Sequence, residues 1–104
     1  MSNSIGNNQK SVSEKSIENR LVLEAKKRGG LALKFVSPGI DGVPDRIVLL
    51  HGQHMAFVEL KAPGKTLRPL QVRRKEQLEG LGFSVYVVDD KAQIGGILDE
   101  IQST

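Results

Sequence analysis

Two charges interrupt the otherwise apolar run Met55-Ala56-Phe57-Val58-Glu59-Leu60-Lys61-Ala62. Side chains alternate along a strand, so Glu59 and Lys61 project from one face while Val58 and Leu60 take the other. Burying a carboxylate or an ammonium is costly unless it is paired or bound to an ion. The pair is therefore either a salt bridge at a strand end or part of a chemical site. Asp45 follows Pro44 at the opening of a second apolar run, DRIVLL, where it is either a turn residue or a partner for Glu59. Register decides between these. A three-residue loop, His51-Gly52-Gln53, sets Leu50 opposite His54 and Asp45 opposite Glu59, with the two carboxylates about 5 Å apart on one face. A two-residue loop sets Asp45 opposite Leu60 and separates them. Like charges that close ask for a cation between them, and oxygen donors without Cys or His favour Mg²⁺ or Mn²⁺.

A third acid lies upstream. Ile17, Leu21, Val22 and Ala25 form one stripe of a helix, and Glu18 falls within that stripe rather than on its wet side. It is either salt-bridged to Lys61 or Arg46 or placed beside the metal. Glu14 shares a similar azimuth, but Ser11-Val12-Ser13-Glu14 fits a capping box that gives Glu14 a structural task.

The elements that must position these residues follow from the same sequence. Residues 1–10 are polar and without period and read as a loose tail, leaving 11–104 as one domain. The first helix runs to about Arg28 and stops at Gly29-Gly30. Strands are predicted over Leu31–Val36, Asp45–Leu50, Met55–Ala62 and Phe83–Val88, the last apolar enough for burial on both faces. A second helix occupies about Leu67–Leu81, with Pro69 in its first turn. Asp89 or Asp90 caps a last helix with Ile94, Ile97, Leu98 and Ile101 on one stripe. The order is α-β-β-β-α-β-α, an α/β fold with a mixed four-stranded sheet flanked by helices.

Composition narrows the classes. With 104 residues, one domain is expected. The chain has 15 Lys and Arg against 12 Asp and Glu, a balance compatible with a phosphate-backbone partner. The absence of Cys excludes disulfides, zinc-thiolate sites and thiol catalysis. Aromatics are 4% of the chain, so Leu, Ile and Val must build the core, and apolar surface shared with a second copy would add stability. No signal peptide or membrane span is visible, and a soluble cytoplasmic protein is expected.

Gly42-x-Pro44-Asp45, thirteen residues, Glu59-x-Lys61 and then Gln71 resembles the PD-(D/E)xK nucleases, and more narrowly their VRR-Nuc (virus-type replication-repair nuclease) branch. Each motif is weak alone; the ordered set, spanning roughly Ser13 to Asp89, is specific. The resemblance implies a restriction-endonuclease-like core and an acid from the first helix, here Glu18. It also implies a metal site of Asp45, Glu59, Glu18 and the Leu60 backbone carbonyl holding Mg²⁺, with Mn²⁺ as substitute. Lys61 and Gln71 complete the catalytic set, Lys61 as a fixed positive charge and Gln71 positioning water or phosphate. Arg68 departs from the small or acidic residue often found there, which bears on how this helix start meets substrate.

Lys65, Arg68, Arg73, Arg74 and Lys75 cluster around the second helix and are the expected phosphate-binding cations. Lys26, Lys27 and Arg28 fit a helix C-terminus better than DNA. Phe35, Phe57, Phe83 and Tyr86 fall in predicted core strands, leaving little surface for base stacking. Gly64-Lys65-Thr66 lacks the upstream glycine of a phosphate-binding loop, since that position is Glu59, so no nucleotide cofactor is expected. His51 and His54 read as turn residues. Gly95-Gly96 marks a close helix contact or a frayed helix start. The resulting expectation is a Mg²⁺-dependent homodimeric endonuclease acting on branched DNA, most specifically four-way junctions, and small size with a stand-alone domain leans towards a phage origin. The alternatives are a general flap or nicking nuclease, and a non-catalytic DNA-binding module.

Overall fold

The computed structural model describes residues 12–104. The expected tail over 1–10, and Ser11 as helix cap, lie outside the described residues. Helix α1 spans Glu14–Lys27 and is capped by Ser13, whose hydroxyl accepts from the Ser16 amide at 3.1 Å. The cap thus sits two residues later than the predicted capping box. Ser13 satisfies a free amide of the first turn by itself, so Glu14 becomes the first helical residue and has no capping task.

Strands β1 (Leu31–Lys34), β2 (Arg46–Leu50), β3 (His54–Leu60) and β4 (Val85–Val88) form one sheet in the order β1-β2-β3-β4. The first three are antiparallel and β4 runs parallel to β3. That parallel pairing requires a crossover, supplied by α2 (Pro69–Gly80). Helix α3 (Ile94–Ser103) closes the chain after a 3₁₀ turn, Lys91–Gln93, which Asp90 caps by accepting from the Ala92 amide. The mixed four-stranded architecture agrees with the sequence reading.

Even-numbered residues of the central strands face α1 and α3. Val48, Leu50, Ala56, Val58 and Leu60 join Ile17, Leu21, Ala25, Ile94, Leu98 and Ile101 in a single core. The opposite face is covered only in part. Glu59 and Phe57 are buried there, but Leu31, Leu33 and Leu49 are 54%, 45% and 36% exposed, so the β1–β2 half of that face is open. Strand β4 is shorter than predicted, and only Val85 and Val88 of its residues are buried. Phe83 precedes it and is exposed, contrary to its assignment to a core strand. Gly95 and Gly96 meet nothing within 4 Å of an added Cβ, so neither marks a close helix contact in the monomer. No helix among the described residues is long and apolar enough to cross a membrane.

Candidate active site

The β2–β3 connection is the three-residue turn His51-Gly52-Gln53, with Gly52 and Gln53 at φ 81° and 65°. Leu50 pairs with His54 and Arg46 with Val58, so one further step sets Asp45 opposite Glu59. The odd loop length decides the register, and register decides whether the acids meet. Asp45 is anchored from both ends. Its carbonyl accepts from the Phe35 amide at 2.9 Å, and its Oδ2 accepts from the Leu60 amide at 2.8 Å. The carboxylate is thus tied to the backbone of β3, one residue past Glu59.

Gly42 explains the first letter of its motif. It has φ 81°, and a Cβ there would lie 2.7 Å from the Leu70 carbonyl oxygen. Only glycine lets this loop take the left-handed turn and pass so close to the start of α2. Arg74 fastens the same loop, donating from Nε to the Asp41 carbonyl at 2.9 Å. Between them Asp41, Gly42, Arg68, Pro69, Leu70 and Gln71 line a groove of about 600 Å³ beside the acids.

Glu59 is 4% exposed. Gln71 donates from Nε2 to Glu59 Oε2 at 2.7 Å, while its Oε1 accepts from the Arg68 amide at 2.9 Å. Both ends of one amide are used: it caps the start of α2 and holds the carboxylate, which neither Glu nor Leu could do together. Lys61 lies just past β3, with its amide donating to the Val88 carbonyl and its Nζ 3.7 Å from Glu59 Oε2. Burial pushes the Glu59 carboxyl up to about 7, and the charges of Asp45 and Glu14 push the same way against the opposing pull of Lys61 and Arg68. Lys61 and Arg68 together do not offset the desolvation and two acidic neighbours.

Of the two readings open for Glu18, the structure shows the ion pair. Arg46 reaches Glu18 Oε2 through both Nε and Nη2 at 2.9 Å, and Nη1 donates to the Ala32 carbonyl at 2.9 Å. Burial raises the Glu18 carboxyl, but the hydrogen bond and charge of Arg46, with help from Lys15, bring it below its ordinary value. The charge of Glu14, one turn earlier on the same helix, acts on Glu59. Sequence reasoning passed over Glu14 because the cap was placed two residues too early. The signal available was Ser13 itself, an equally good N-cap immediately before the periodic run.

The site's donors are carboxylate oxygens. Among the described residues, no three His, Asp or Glu side chains converge into a ready-made cage. A small divalent ion that keeps several waters is commonly bound through one or two carboxylates plus a substrate phosphate, a demand that Asp45 and Glu59 could meet. Around them the predicted cations divide. Arg74 donates to Gln77 as well as to the Asp41 loop, and Lys75 pairs with Glu79 at 3.0 Å, so both have partners within the protein. Lys65, Arg68 and Arg73 are exposed, and Arg68 is near enough for its charge to act on Glu59.

A mixed sheet of this order, with an acid before the second strand and an acid and a lysine at the end of the third, defines the PD-(D/E)xK class of α/β domains. No family model matches the chain. It is 50% identical over 80 residues to "Putative nuclease p44" of Acyrthosiphon pisum secondary endosymbiont phage 1, covering 77% of this chain and 86% of that protein. A solved structure described as a VRR_NUC domain superposes with a TM-score of 0.77 at 28% identity, over 83% of this chain and 94% of the other. The chain belongs to the VRR-Nuc family.

Proposed function

We propose that the protein is a Mg²⁺-dependent endonuclease that hydrolyses phosphodiester bonds in branched DNA, with four-way junctions as its preferred substrate and Mn²⁺ as an alternative ion. The observation that carries the reading is the Glu59 carboxyl, buried, held by Gln71 and pushed up to about 7 beside Asp45. A carboxylate kept in that state by its own fold is one whose stabilisation is left to a cation. Family membership and the name of the phage relative support nuclease activity.

In this reading Asp45 and Glu59 hold the ion, and the charge of Glu14 on the first helix adds to the negative field there. The Leu60 carbonyl is a further donor, since strand geometry sends it to the same side as the Leu60 amide that Asp45 engages. When bound, the ion supplies Lewis acidity toward water and the phosphate. Lys61 supplies a fixed positive charge where the phosphate becomes more negative, in a partly dry setting that strengthens it. Gln71 keeps the Glu59 carboxylate oriented, and its link to the Arg68 amide ties that orientation to the start of α2. Arg68, Lys65 and Arg73 bind the backbone of DNA lying along the groove, and Arg74 and Lys75 shape α2 instead.

The open β1–β2 half of the sheet supports a homodimer, because Leu31, Leu33 and Leu49 form an uncharged exposed patch with partly exposed Ile47 and Met55 beside it. Two sites related by a two-fold axis suit a junction whose opposed strands are similarly related. The phage source of the relative agrees with a phage-encoded protein acting in a host cytoplasm.

The test is cleavage of labelled four-way junction, flap and plain duplex DNA by wild type and Asp45→Ala with Mg²⁺, Mn²⁺ or EDTA. Paired nicks at the junction, requiring the ion and absent in the variant, are expected. Equal cutting of all three substrates leaves a general flap or nicking nuclease. No cutting, with binding indifferent to EDTA, leaves a DNA-binding module.

A further inference from the structure

The exposed cations and the groove belong to the proposed DNA path, but the Arg46 network is not used by it. Arg46 joins three elements at the edge of the site: its own strand β2, helix α1 through Glu18, and strand β1 through the Ala32 carbonyl. Both side chains of the ion pair are mostly buried, at 15% and 13% exposure. Three of the guanidinium's donors are engaged, two of them on one carboxylate oxygen. A planar fork with this pattern fixes direction as well as distance, and an ammonium has no equivalent geometry.

The position of this fork matters for two acids. Arg46 directly follows Asp45, so the anchor that holds β2's first residue also holds the backbone from which the Asp45 carboxylate reaches the Leu60 amide. Glu18 lies one turn after Glu14 on α1, and residues four apart share a helix face. Fixing Glu18 on Arg46 therefore sets the rotation of α1 that brings the Glu14 charge to bear on Glu59. The far end of α1 has its own anchor, Arg28 to Asp99 and to the Gly95 carbonyl, which touches none of these residues.

We infer that Arg46 is a positioning residue, whose fork on Glu18 and the Ala32 carbonyl sets the relative placement of Glu14, Asp45 and Glu59. This inference rests on the proposed nuclease reading for its consequence, but its structural content can be measured without metal or DNA. The Leu60 amide reports it, because that amide donates to the Asp45 carboxylate.

The experiment compares Arg46→Lys, Arg46→Met and Glu18→Gln with the distant control Arg28→Met. Hydrogen exchange of the Leu60 amide is followed in EDTA, Mn²⁺ binding by calorimetry without DNA, kcat and KM by junction cleavage, and folding by circular dichroism and thermal melting. In Arg46→Lys, Leu60 exchange is expected to accelerate at least tenfold while the Ala56 amide, opposite Val48 in the core, stays protected. Mn²⁺ binding weakens at least tenfold and kcat falls at least tenfold, with KM for DNA within about threefold. Glu18→Gln, which keeps one acceptor, shows a smaller form of the same pattern. Arg28→Met lowers the melting temperature without these changes.

Arg46 variants that melt earlier, as Arg28→Met does, but keep Leu60 protection, Mn²⁺ binding and kcat would reduce the network to a plain structural tie and overturn the inference. Should Arg46→Met not fold, Arg46→Lys and Glu18→Gln still decide. If wild type neither binds Mn²⁺ nor cuts DNA, the nuclease reading fails, while Leu60 exchange still tells whether Arg46 places Asp45.

Discussion

Glu59 and Glu18 are carboxylates of the same kind set into apolar surroundings, and their neighbourhoods treat them in opposite ways. Glu18 meets a guanidinium that places two nitrogens on one of its oxygens, and its carboxyl falls below the ordinary value. Glu59 meets a neutral amide, an ammonium at 3.7 Å, the weaker pull of Arg68 and two other acids, and its carboxyl rises to about 7. A fold able to satisfy one buried acid fully leaves the other short of positive charge. The difference separates a carboxylate that holds the structure together from one available to a cation.

The largest effect expected from breaking this contrast is in Glu59→Gln. Junction nicking should fall by about a thousandfold or more, as for loss of a group that holds the reacting centre. In EDTA at pH 8 the same variant should be more stable than wild type, by up to roughly 3 kcal/mol if the whole upward shift of Glu59 is relieved. Urea denaturation checks this, and a destabilised variant would mean that the charged form is well accommodated after all.

Lys61→Met sharpens the contrast by removing the ammonium 3.7 Å from Glu59. Cleavage should fall by about a hundredfold, and the pH at which the ion-free protein loses stability should move upward. Rate measurements together with denaturation at several pH values test both parts.

The pH dependence of the ion-free wild type separates the two acids by sign. Glu59 is raised in the folded state, so its contribution is fully present below the unfolded value of 4.5 and is lost as pH rises through about 7. Glu18 is lowered, so its contribution is present above 4.5 and is lost as pH falls through its depressed folded value. Stability in EDTA should therefore decline between about pH 5 and 8, and saturating Mg²⁺ should flatten that decline. An unchanged slope with Mg²⁺ would disconnect Glu59 from the ion.

The smallest effects lie in the cations. Arg68→Ala should weaken DNA binding and lower the salt slope by about one unit, with little preference among sequences. Lys75→Ala, whose side chain is committed to Glu79, should change binding by less than about twofold. Salt-dependent binding titrations distinguish them.

Much of the frame was readable from local pattern. Alternation exposed Glu59 and Lys61 on one strand face, and helical period marked Ile17, Leu21 and Ala25 for the core. Boundaries were less readable. The cap of α1 was misplaced because Ser11 and Ser13 carry the same side chain two residues apart, and that shift concealed Glu14. Phe83 was assigned to a buried strand because a continuous apolar run does not say where pairing begins; β4 starts only at Val85.

The amino-acid order by itself determined the elements, the mixed sheet and the spacing that allows Asp45 to oppose Glu59, because these depend on local periodicity and on the length of one turn. Only the tertiary structure decided which acid has a partner. Arg46 and Glu18 are 28 residues apart in the chain and Gln71 and Glu59 are 12 apart, and no local rule assigns such pairs. Their geometry follows from how α1 and α2 dock on the sheet, and with it the charge balance that sets one carboxylate low and the other near 7.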